Sequence, residues 1–171
     1  GKCRRNPTTN LRVDCYKDGS ALLAQFYSPT DLALDDKGNL YISEIGNHRI
    51  RKLDLQKNTV STIAGSGQAG YLDGPGLQAR FNQPYGITVD TKENLYIADS
   101  GNHRIRKIDP LGNVITLAGS GSSSYADGVG VQARFNQPRS LVADSFGNIF
   151  IADMYNHRIR KIDPQGKVTT F

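Results

Sequence analysis

The chain has no tryptophan, one methionine and two cysteines, and its longest apolar runs, such as Asn148–Ala152, are only strand-sized. A membrane-spanning helix needs roughly 20 apolar residues, so none is expected, and no signal-peptide core stands at the start; an exported protein would already have lost its signal. No long stretch repeats apolar residues at helical spacing, which argues against a helical bundle. The catalytic patterns G-x-S-x-G, H-E-x-x-H and C-x-x-C are also missing, and proline spoils the one sequon-like triplet, Asn6-Pro7-Thr8.

What is present is glycine, 18 residues of it, among many short runs of apolar and β-branched residues separated by turn chemistry. At 171 residues and 37% hydrophobic the chain is large and apolar enough to bury a core. The fold class read from this is all-β.

The chain also repeats itself. Asn-His-Arg-Ile-Arg-Lys begins at Asn47, Asn102 and Asn156, at spacings of 55 and 54 residues. Asp18-Gly19, Phe26 and Pro29 recur at the same offsets, and the single-residue difference falls in the turn around Leu55 to Thr59. Each copy carries four short strands. In the second they are Tyr85–Asp90, Asn94–Ala98, His103–Ile108 and Val114–Leu117, joined by turns such as Asp109-Pro110-Leu111-Gly112. Four antiparallel strands per unit make a propeller blade, and the blades fall at about 29–64, 85–118 and 139–171, preceded by a basic arm and linker over 1–28. The linkers Gly65–Pro84 and Gly119–Pro138 agree at 14 of 20 positions. Within them Leu77 and Phe81, like Leu22 and Phe26 or Val131 and Phe135, stand four apart, which predicts a helical turn pinned by its apolar face.

The run from Pro84 to Ile105 resembles the NHL repeat, whose pattern reads P-x-G-I-x-V-D, then G-N-L-Y-I-A-D, then N-H-R-I. The likeness extends over about 29–171, with Ser43-Glu44 departing from Ala-Asp in the first copy and Thr30-Asp31-Leu32 standing where a glycine is usual. It implies a β-propeller, usually six-bladed, serving mostly as a scaffold for proteins or RNA, with some lyases and hydrolases among its relatives. Three blades are half of such a ring, and each end leaves an apolar sheet face bare. A second copy joined head to tail would complete six blades, or build a filament if the rotation does not close. The alternative is a segment of a longer propeller.

Most candidate chemistry reads as structural. His48, His103 and His157 hold one repeat position, so a ring spreads them apart instead of gathering them on a metal. Pairings of Asp99 with Arg104 and of Asp153 with Arg158 are expected to brace a loop. Asp35-Asp36, Asp90 and Asp144 suggest turns that bond their own backbone sooner than calcium. Gly65-Ser-Gly67-Gln-Ala-Gly70 matches G-x-G-x-x-G without the βαβ unit that motif requires. No cofactor and no metal site is expected.

The net charge of +5 raises an anionic polymer or another protein as partner. Nine of the 21 basic residues lie in the three Arg-x-Arg-Lys segments, read as a solvated face, and Lys2, Arg4, Arg5, Arg12 and Lys17 form the basic arm. Cys3 and Cys15 are a disulfide candidate, which would imply a secreted or cell-surface setting; free thiols in a reducing cell are the alternative. Positions that differ between copies are the ones free for function. These are Thr30, Tyr85 and Arg139 after the linker prolines, with Glu44, Asp99, Met154 and Tyr155 in the loop between second and third strands, and they form a candidate binding surface. The function expected is a non-enzymatic binding or scaffold propeller that self-associates. The alternatives are a lyase- or lactonase-like enzyme using Asp31, Tyr85 and Arg139 near the axis, or a nucleic-acid-binding module.

Overall fold

The computed structural model describes residues 16–171 throughout and, of the first 15, the backbone of 4–5 and 12–13. Those four residues form a small antiparallel hairpin, β1 (Arg4–Arg5) with β2 (Arg12–Val13). Cys3, Cys15 and Lys2 lie outside the described residues, so the disulfide candidate and one member of the basic arm have no place in the structural account; Lys17 is exposed.

The rest is three antiparallel sheets of identical plan. The first contains β3 (Gly19–Ser20), β4 (Pro29–Leu34), β5 (Asn39–Glu44), β6 (Arg49–Asp54) and β7 (Thr59–Ala64), in the order β3-β7-β6-β5-β4. The second repeats it with β8 (Gly74–Pro75), β9 (Pro84–Val89), β10 (Leu95–Asp99), β11 (Arg104–Ile108) and β12 (Asn113–Ala118). The third follows with β13 (Gly128–Val129), β14 (Pro138–Ala143), β15 (Ile149–Asp153), β16 (Arg158–Ile162) and β17 (Lys167–Thr170). Each blade therefore has five strands where the sequence predicts four. The extra two-residue strand comes from the linker, which runs along the outer edge before crossing to the inner strand, and it covers an edge that would otherwise offer unpaired backbone groups.

Two hydrophobic clusters lie between blades and not within them. Ile50, Phe81, Ile87 and Ile97 belong to the one between the first and second blades, and Ile105, Phe135, Ile149 and Ile151 to the one between the second and third. All five residues of β10 are buried because both faces of the middle blade are covered, whereas the matching β15 alternates buried and half-buried because its forward face is open.

The predicted helical turn is present only in part. Gln78 and Ala79 donate back to Pro75 O, closing one turn, and Gly130–Gln132 forms a 3-10 turn. Its apolar face is not the predicted one. Leu22, Leu77 and Val131 are exposed, while Ala79, Phe81, Ala133 and Phe135 are fully buried. The chain is extended after the single turn, so side chains two apart share a face there and the four-residue spacing no longer applies.

Candidate functional site

The dominant polar feature of each blade is a buried arginine. Arg51, Arg106 and Arg160, the second arginine of each repeat, have no exposed surface. Arg106 donates to Asp99 at 2.8 Å, to Asp73 at 2.5 Å, and to the carbonyls of Leu72 and Arg80. Arg51 takes Glu44 and Asp18, and Arg160 takes Asp153 and Asp127. Each guanidinium also lies between two rings of its own linker, Arg106 between Tyr71 at 5.0 Å and Phe81 at 5.1 Å. The cluster clamps the linker to the blade. Burial pushes the Asp99 carboxyl up, against the Arg106 charge and the donors Asn102 and Asn82. At Asp18 and Asp127 burial also acts upward, but the donated hydrogen bonds from Thr62 or Thr170 and from the arginine win, and both carboxyls fall below the usual range.

Three expectations change accordingly. The Arg-x-Arg-Lys segments are not simply a solvated face: the second arginine of each is fully buried against the linker, and the first is half-buried in Arg49 and Arg104 and exposed in Arg158. Asp99 and Asp153 pair with Arg106 and Arg160, not with Arg104 and Arg158, which are only their backbone neighbours in the ladder. Glu44 and Asp99 are fully buried in these clusters and offer nothing to a ligand. The glycine pattern has a matching cause: a Cβ on Gly65 would strike the His48 carbonyl and one on Gly67 the Arg49 guanidinium, and both glycines have positive φ.

The histidines join blades. His48 Nδ1 accepts the Gln83 backbone N–H at 3.1 Å and His103 Nδ1 accepts that of Gln137 at 3.0 Å. Burial and the adjacent Arg49 or Arg104 push both imidazoles below their ordinary value. A depressed histidine stabilises the fold above the unfolded-state pKa, about 6.5, and that contribution is lost as pH falls toward the folded value. The melting temperature should therefore drop by a few degrees between pH 6.5 and 5, and His48→Asn with His103→Asn should flatten that portion of a calorimetric pH profile. The turn aspartates belong to a different window. Asp35, Asp90 and Asp144 each accept backbone and side-chain bonds from residues two and four further on, which hold them below 3.8 against burial. Tyr41, which donates to Asp35, is pushed up to about 12 by burial and that bond.

The candidate surface residues divide. Thr30, Tyr85 and Arg139 sit side by side at the start of the three inner strands, each in a stretch where the ladder register slips by one residue. Thr30 Oγ1 donates to Tyr85 O at 3.0 Å, and the Arg139 guanidinium lies 4.3 Å from the Tyr85 ring centre. Asp31 is occupied structurally, accepting the Ile87 N–H at 3.0 Å across the first joint. Met154 and Tyr155 are 45% and 49% exposed in the outermost loop.

The blade faces at the two ends expose apolar side chains. Leu32 and Leu34 on β4 are 57% and 60% exposed, while Ile87, which holds the Leu32 position in the second blade, is 3% exposed. At the other end Val142, Phe150, Ala152 and Ile159 line an open hollow, and the Phe150 and Phe171 rings meet edge to face at 5.8 Å. Ile159 is 48% exposed where Ile105, its counterpart, is fully buried.

The linker half of each arginine cluster was missed from the sequence. Its signal was there: Tyr16-Lys-Asp18-Gly19, Tyr71-Leu-Asp73-Gly74 and Tyr125-Ala-Asp127-Gly128 repeat a Tyr-x-Asp-Gly with the arginine period.

The NHL repeat pattern matches residues 26–53, 81–108 and 135–162. NHL repeat-containing protein 2 of Bos taurus is 33% identical over 161 residues, covering 86% of this chain and 22% of its own. A probable peptidyl-alpha-hydroxyglycine alpha-amidating lyase of Caenorhabditis elegans is 25% identical over 79% of the chain and 37% of its own length. An auxiliary nutrient binding protein of Bacteroides thetaiotaomicron superposes with a TM-score of 0.71 at 28% identity, covering 98% of this chain and 42% of that one. The chain thus spans about a fifth of the first relative and under half of the others. Three matched repeats folded as three propeller blades place the chain in the NHL-repeat family.

Proposed function

We propose that the chain is a non-enzymatic propeller scaffold that works by assembly, two copies joining head to tail so that the third blade of each packs on the first blade of the other. The observation that carries this reading is the match between the two bare faces. Val142, Phe150, Ala152 and Ile159 occupy the positions that Thr88, Tyr96, Ala98 and Ile105 use to cover the third blade. Leu32 and Leu34 occupy those of Ile87 and Val89, which the second blade packs against the first, while Ile42, at the Ile97 position, is already buried in the single chain. The new joint repeats an interior one nearly residue for residue. Two such joints related by a twofold axis close six blades, the usual number for the family the chain resembles. The histidines support a structural over a metal-binding role, since His48 and His103 each commit a ring nitrogen to the backbone of the following blade.

Sedimentation velocity across the micromolar range tests the reading. A species of twice the chain mass, growing with concentration, is expected. A monomer at every concentration overturns it and assigns the bare faces to blades of a longer polypeptide; an open ladder of larger species overturns ring closure.

A further inference from the structure

Both interior joints add the same polar contact to their apolar core, the histidine Nδ1 accepting a backbone N–H from the next blade. Both sides are shaped for it. His48 and His103 hold φ of 53° and 54°, and Gln83 and Gln137 hold 53° and 49°, all in the left-handed region that non-glycine residues seldom enter. The open ends carry the two halves of a third such contact. His157, 54 residues after His103, has φ 53°, and Ser28, 55 residues before Gln83, has φ 51°. Among the described residues the His157 side chain is exposed and makes no hydrogen bond, and the Ser28 N–H donates none.

We infer that His157 Nδ1 accepts the Ser28 backbone N–H of a second copy and so determines which faces meet, an inference that rests on the head-to-tail reading. Third blade against third blade would set two acceptors at each other, and first against first would set two N–H groups at each other. Only the unlike pairing satisfies both. His103 lies beside Arg104 of its own loop and Asp153 of the next blade. By that pattern His157 faces Arg158 of its own chain and Glu44 of the incoming one. The contact needs a neutral ring, because an imidazolium has no lone pair to accept with.

The test is the self-association of the full chain and of His157→Asn, measured by sedimentation at pH 7.5 and 5.5. Asparagine tolerates the left-handed backbone, does not titrate, and replaces an exposed side chain, so the blade stays folded, which a thermal melt confirms. Losing one neutral hydrogen bond weakens a joint about five-fold. A ring has two joints, so the dimer dissociation constant of His157→Asn should rise about 25-fold at pH 7.5. The parent should weaken from pH 7.5 to 5.5, and the variant should lose most of that dependence. His48 and His103 are common to both proteins and cancel in the comparison. A variant that associates with the parent's affinity and pH profile overturns the inference while leaving head-to-tail assembly standing. A parent that never associates removes both.

Discussion

Replacing Asp99 with alanine is expected to lower the melting temperature by roughly 10 °C or more, among the largest effects of any single polar substitution in the chain. The substitution strips three donors at once of their fully buried carboxylate acceptor: the Arg106 guanidinium, the Asn102 amide and the Asn82 backbone N–H. Arg106 keeps Asp73, which is 36% exposed and so a weaker counter-charge, while its own side chain has no exposed surface. Removing one partner from a buried pair costs about 3–5 kcal/mol because the other charge stays desolvated. Domains of ordinary stability have only about 5–15 kcal/mol in hand. Asp99→Asn should fall between parent and alanine, since it keeps the shape and one acceptor but not the charge. Differential scanning calorimetry of the three proteins decides it. A shift under about 3 °C for Asp99→Ala would show that the cluster does not hold the linker. The cluster is not a source of surplus stability, because a well-packed apolar replacement of the whole set could match it. Its role is positional: one arginine ties two linker carbonyls, an aspartate and two rings to the blade.

That distinction explains which parts of the molecule were legible in advance. The blade count, strand order and Asx turns rest on local chemistry and on exact repetition, both of which a single sequence displays. Asp90, bonded to Lys92 and Asn94, needs no knowledge of anything beyond four residues. The arginine cluster joins Asp73 to Arg106 across 33 residues and Asp99 to Arg106 across seven, and a reading confined to one loop pairs Asp99 with the nearer Arg104 instead. The fifth strand was hidden for a similar reason. Gly74-Pro75 has no strand character of its own and is extended only because β12 stands beside it. Of the surface candidates, Thr30, Tyr85 and Arg139 share one repeat position, which the fold turns into adjacency. Glu44 and Asp99 were misplaced by the same logic. Variation between copies there is an exchange of one carboxylate for another at a buried position, not freedom to meet a ligand.

The second large effect separates folding from assembly by using one repeat position twice. Ile159→Asp is expected to abolish self-association, with the dissociation constant rising at least 100-fold, while the melting temperature of the monomer moves little. Ile105→Asp should unfold the chain. The two isoleucines are preceded by His-Arg, followed by Arg-Lys-Ile, and paired with the alanine of the neighbouring strand, Ala152 or Ala98. They differ only in what lies ahead of the blade. Ile105 is sealed in the cluster with Phe135 and Leu141, so an aspartate there would be a buried carboxylate without a partner. Ile159 is 48% exposed, so in the monomer its replacement would meet water, and the charge becomes costly only when another blade covers it. Sedimentation and calorimetry on the same two variants give a joint readout. If Ile159→Asp sediments like the parent at all concentrations where the parent associates, the third blade's forward face is not the assembly surface, and the contact must be sought elsewhere. If it melts as early as Ile105→Asp, that face is already part of the folding core and the joint is not a separable interface.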